Sequence, residues 1–152
     1  MKKLILCASC VVLLILMAGC SLKPRTPLTA QEFTDKMEDA GYTVTDATDQ
    51  YEAGLVDAVR IAVKDNIQIE FYIVPTVGQA EEAYAANVAD FDALSAAGAS
   101  SKTVDISNYS YYRKLTDNSY YIVSRTDNTF IYVEAAAADK DEILKQITDL
   151  GY

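Results

Sequence analysis

All three cysteines, Cys7, Cys10 and Cys20, fall within the first 20 residues, and the 152-residue chain contains no histidine. From Ser21 onward there is no disulfide, no His/Cys zinc site and no His-dependent triad. Apolar burial must therefore hold the fold, and a domain of roughly 125 residues can bury enough to do so. Charge is just as uneven. Without Lys2 and Lys3, residues 20–152 keep 11 basic against 22 acidic side chains, a net −11. Such a balance excludes a nucleic-acid binder, whose phosphate contacts need a basic footprint.

The first 20 residues have the layout of an export signal. Lys2-Lys3 precede an apolar run from Leu4 to Gly19 broken only by Ser9, too short to span a bilayer at about 20 residues. The run ends Leu16-Met17-Ala18-Gly19-Cys20. This ending resembles the lipobox of bacterial lipoproteins, with Met17 where Leu is usual. The resemblance implies a signal over residues 1–19, a diacylglyceryl group on Cys20, and cleavage just before that cysteine. The protein is then expected on the extracytoplasmic side of a bacterial cell membrane, held by lipid. Two acyl chains suffice for stable anchoring. Residues 20–27 form the lipidated tether, with two prolines and no periodicity. Its extended Ser21–Pro27 stretch spans on the order of 20 Å, and Lys23 and Arg25 read as solvated linker charges.

Residues 28–152 read as one α+β domain. Thr29-x-x-Glu32 is a capping box, and Phe33, Met37 and Ala40 share a face that stops at Gly41. A second helix opens at Thr76-x-x-Gln79, with a stripe of Val77, Ala80, Tyr84, Val88, Phe91 and Leu94. A third opens at Asp139-x-x-Glu142 and buries Ile143, Ile147 and Leu150. Between them lie strands of period two: Val59-Ile61-Val63, then Asp65-Asn66, then Ile67-Ile69-Phe71-Ile73. Asp-Asn recurs at 117–118 and 127–128, and these residues tolerate the left-handed backbone of a hairpin turn. The alternating ligands of a calcium loop are absent around them. The expected order is α-β-β-β-α-β-β-β-β-α, a mostly antiparallel sheet with helices against one face. From about residue 55 this order resembles the PsbP-like α/β/α sandwich of photosystem extrinsic subunits, which implies binding rather than catalysis.

No motif carries catalysis. G-x-G-x-x-G, a Walker loop and G-x-S-x-G are all missing. Glu81-Glu82, Asp90/Asp92 and Asp139/Asp141 fall on polar helix faces, where solvated or capping charge accounts for them. No cofactor or metal is expected.

One region stands apart. Six of the eleven tyrosines lie between Tyr109 and Tyr132, and residues 109–126 set Arg113, Lys114 and Arg125 against Asp117 alone. Two-residue turns at Asp117-Asn118 and Asp127-Asn128 pair Tyr112 with Val123, Lys114 with Tyr121, Arg125 with Phe130, and Val123 with Tyr132. One face then carries Tyr112, Lys114, Tyr121, Val123, Arg125, Phe130, Tyr132 and Glu134. Leu115, Tyr120, Ile122, Ile131 and Val133 line the other face, as core. Aromatic rings beside Arg and Lys suit an interface; the same rings also suit cross-strand packing with hydroxyls reaching water. The expected binding site is Tyr112, Lys114, Tyr121, Arg125, Phe130 and Tyr132, at least partly exposed, for an envelope protein, peptide or glycan. The competing expectation is a small envelope enzyme using carboxylates or tyrosines.

Overall fold

A computed structural model of the chain describes residues 23–94 and 98–152. The expected signal at 1–19 and the lipidation site Cys20 lie outside these residues. No described helix is long and apolar enough to cross a membrane.

The elements follow the order read from the sequence. They are α1 (Ala30–Asp39), β1 (Thr43–Asp46), β2 (Ala58–Lys64), β3 (Ile67–Ile73) and α2 (Val77–Ala93), then β4 (Ser100–Ile106), β5 (Tyr109–Leu115), β6 (Ser119–Thr126), β7 (Thr129–Ala136) and α3 (Lys140–Leu150). The seven strands form one sheet, ordered β1-β2-β3-β7-β6-β5-β4, and every neighbouring pair is antiparallel.

Local chemistry sets the element ends. The Thr29 capping box is complete, the Thr29 N–H donating to Glu32 Oε2 at 2.8 Å and the Glu32 N–H to Thr29 Oγ1 at 3.2 Å. After α1, Gly41 takes φ +85°, so the Tyr42 N–H reaches back to the Met37 carbonyl at 2.9 Å. Thr76 caps α2 as expected. Asp139 does not cap α3: a 3₁₀ turn over Ala137–Asp139 leads into that helix, and its side chain makes no capping bond. Asp65 and Asp127 occupy the left-handed region at φ 51° and 50°. At Asp117-Asn118 the hairpin keeps its register without a left-handed Asp117, and the Ser119 N–H donates to Thr116 Oγ1 at 2.9 Å.

Helices cover both faces of the sheet, not one. On the first face, Phe33 and Met37 of α1 and Ile143, Ile147 and Leu150 of α3 pack against Ile69, Phe71, Ile122, Ile131 and Val133. Phe33 and Phe71 stack with centroids 4.8 Å apart. This is the core face expected from the hairpin register. The second face, which α1 and α3 leave uncovered, lies beneath α2, and topology makes that helix span the sheet. Four strand positions separate β3 from β4, about 19 Å at the usual spacing, and the chain must cross that distance. The 17 residues of α2 span about 26 Å, enough to cross over β7, β6 and β5.

The tether also differs from its expectation. Arg25 is docked on the domain, not free as a solvated linker charge. Its guanidinium lies 3.3 Å from the centroid of the Tyr109 ring, and its Nη1 donates to the Gly151 carbonyl at 2.8 Å. Asn108 clamps its backbone, accepting from the Arg25 N–H at 2.9 Å and donating to the Arg25 carbonyl at 2.7 Å. A cation over an aromatic face, with both neighbouring backbone groups satisfied, is enough to fix this point of the chain.

Candidate binding surface

The register of the tyrosine-rich hairpins is the expected one, with Tyr112 opposite Val123, Lys114 opposite Tyr121, Arg125 opposite Phe130 and Val123 opposite Tyr132. The exposure is not. Tyr112 is 2% exposed, Lys114 6%, Tyr121 9%, Arg125 4% and Phe130 6%; of the six expected site residues only Tyr132 is half-buried. Helix α2 has closed the face.

Phe91 of α2 is the centre of that closure. Its ring contacts Tyr112 at 6.2 Å, Tyr121 at 5.1 Å and Tyr132 at 5.5 Å between centroids. The hydroxyl of Tyr112 donates to Asp92 Oδ1. Burial, and then this hydrogen bond to a carboxylate, push its pKa up to about 12. Lys114 Nζ donates to the carbonyls of Phe91 at 2.6 Å and Leu94 at 2.7 Å, satisfying acceptors that the end of a helix leaves open. Arg125 is buried against β5, donating from Nη2 to Ser110 Oγ at 3.1 Å and from Nη1 to the Asp127 carbonyl at 3.2 Å. Its Nη2 also lies 3.7 Å from Glu81 of α2. The cations expected to greet a partner therefore hold α2 in place. The packing reading of the tyrosines is the one realised at Tyr112 and Tyr121.

Beside α2 the second face stays open over β3 and the near edge of β7. A cleft of about 300 Å³ lies there, lined by Tyr51, Glu70, Tyr72, Asn87, Phe130 and Tyr132. Tyr72 and Phe130 are cross-strand partners and stack at 4.6 Å with their planes 8° apart. Tyr51 meets Tyr72 edge-on at 5.9 Å, and their hydroxyl oxygens are 3.0 Å apart. The Tyr72 hydroxyl donates to Glu70 Oε2, and Gln68 Nε2 donates to Glu70 Oε1 at 2.7 Å. Burial, followed by the bond to Glu70, raises the Tyr72 phenol far above its ordinary value. Burial and the Glu134 charge push Tyr132 up to about 12. Both phenols are thus neutral hydrogen-bonding groups at neutral pH.

Two of the expected site residues, Phe130 and Tyr132, belong to this cleft; Tyr112, Lys114, Tyr121 and Arg125 do not line it. Tyr51, Glu70, Tyr72 and Asn87 went unread in the sequence. Glu70 and Tyr72 occupy the strand positions between the apolar Ile67-Ile69-Phe71-Ile73, so their parity put them on the second face. Pairing β3 with β7 would have brought them to Phe130 and Tyr132. Tyr51 follows a 3₁₀ turn, outside the strands, and no periodicity marks it. Among the described residues no three His, Cys, Asp or Glu side chains are grouped to hold a metal ion.

Comparison with known proteins found no matching family model, no similar curated protein and no similar solved structure.

Proposed function

We propose that this chain is a lipid-anchored, extracytoplasmic binding module that engages an envelope peptide or glycan in the aromatic cleft beside α2. The open cleft itself carries this reading: four aromatic side chains and one carboxylate converge beside the part of that face that the helix closes over β5 and β6. Rings of Tyr and Phe offer contact area with few rotamers to freeze, and Glu70 and Asn87 supply directional polar contacts. Glu70 is the only carboxylate that lines the cleft, whereas acid–base hydrolysis by carboxylates needs two. We therefore assign it recognition.

Anchoring at Cys20 suits such a module. Only four residues lie between Cys20 and the docked Arg25, about 17–18 Å from one to the other when extended, so the domain is held close to its membrane. The test of anchoring is metabolic labelling with a fatty acid. Cys20→Ala should lose the label and the cleavage that follows it; label retained on the variant removes the lipoprotein reading. For the cleft, a photo-cross-linking residue at position 51 of the membrane-anchored chain should capture a partner that the same residue at Asp35 does not.

A further inference from the structure

We infer that a second cleft, at the end of the domain opposite the tether, is a binding site for a phosphate or carboxylate group. It lies between β4, β5 and the start of α3, encloses about 280 Å³, and does not depend on the aromatic cleft. Three cations line it: Lys102 on β4, Arg113 on β5 and Lys140 at the first position of α3. Lys102 and Arg113 are directly opposite one another in the β4–β5 ladder, on one face of the sheet. Like charges at facing positions repel, and neither forms an ion pair with a described carboxylate. The only carboxylate at the cleft is Asp141, 92% exposed and 3.6 Å from Lys140, which leaves a surplus of positive charge in a strongly acidic domain.

Tyr120 adds a hydroxyl to the same cleft. It is 1% exposed and makes no hydrogen bond of good geometry among the described residues, although the Arg113 guanidinium and the Tyr111 hydroxyl lie beside it. A buried hydroxyl gains from a well-aligned acceptor, and a guanidinium can only donate. An oxyanion seated between Lys102, Arg113 and Lys140 accepts from Tyr120 and relieves the cation pair at once. Phosphate and carboxylate both fit; each presents several acceptor oxygens to cationic donors.

Position favours an anion that is not a lipid headgroup. The tether is fixed where Arg25 meets Asn108, in the β4–β5 turn, and Gly151 at the far end of α3. The cleft is at the other end of those elements, and α3 alone separates the two by about 16 Å. With the tether end toward the bilayer, the cleft faces away from it.

The test is titration of the full chain with inorganic phosphate in neutral detergent, against chloride at matched ionic strength. Binding by calorimetry and the rise in unfolding temperature that accompanies it are both read. Saturable binding is expected. It should weaken about tenfold in Arg113→Gln and about threefold in Tyr120→Phe, which removes the hydroxyl and keeps the ring. Lys102→Gln, at an exposed strand position, should also weaken it with no change in the unfolding midpoint measured in chloride. No saturable binding, or equal binding by the parent chain and Lys102→Gln, overturns the site. Repeating the titration on vesicles should give the same affinity with neutral and with anionic phospholipid. Loss of phosphate binding only on anionic vesicles would show headgroups filling the site, and would overturn its placement away from the membrane.

Discussion

Lys114 Nζ lies 2.6 Å from the backbone carbonyl of Phe91, joining the middle of the tyrosine-rich sheet to the last turn of α2. A cation that resembles a recognition residue in the sequence is thereby a fastener for the helix that covers the face. Replacing it leaves two carbonyls without their charged donor. Lys114→Met should therefore cost about 1.5–3 kcal/mol in urea unfolding, with the helix end exchanging its amide protons faster.

The tyrosines beneath α2 should behave as core. Tyr112→Ala and Tyr121→Ala are expected to cost about 3–5 kcal/mol, like Ile122→Ala and Ile131→Ala on the other face at about 2–5 kcal/mol. Equilibrium unfolding of the four variants checks this. Tyrosine variants as stable as the parent would mean that α2 does not seal the face.

Alkaline pH should unfold the domain early. Tyr42, Tyr84, Tyr112 and Tyr132 are all pushed up to about 12, burial being the first cause in each. An unfolded tyrosine ionises near pH 10, so the unfolded chain loses these protons first. Stability from these groups is full below about pH 10 and is lost as pH rises from there through 12. Urea midpoints measured from pH 8 to 12 should fall over that window, and less steeply in Tyr112→Phe. A flat profile would contradict the buried phenols.

Docking of Arg25 should be separable from folding. Arg25→Ala removes the cation over Tyr109 and the bond to Gly151, and the tether should become sensitive to protease. The unfolding midpoint should shift by less than about 1 kcal/mol, because the side chain is exposed. An unchanged cleavage rate would show that Asn108 holds the tether alone.

Much of the sheet was legible because its signals are local. Asp65-Asn66 and Asp127-Asn128 fix two hairpins, and once turn and period are known the register follows, down to Arg125 opposite Phe130. The location of α2 is not a local property. Its stripe of Ala80, Tyr84, Val88 and Phe91 says that the helix needs a surface; the strand order makes it cross the sheet, and the packing of α1 and α3 on the first face leaves it the second. Crossing there, from β3 to β4, it lies over Tyr112, Tyr121 and Tyr132. The same nonlocal fact placed Lys114 and Arg125 under cover, where their long stems are buried and their charged ends find carbonyls and Ser110. Arg25 was unreadable for a similar reason: its partners, Tyr109 and Gly151, are distant in sequence.

The central claim is recognition through the aromatic cleft, and photo-cross-linking in the membrane tests it most directly. A cross-linker at position 51 of the full anchored chain should yield a discrete adduct. Asn87→Trp fills the cleft from a half-buried helix position, and should abolish the adduct while leaving the unfolding midpoint within about 1 kcal/mol of the parent. An adduct that persists in Asn87→Trp, or that forms equally from a cross-linker at Asp35 on α1, would contradict the assignment.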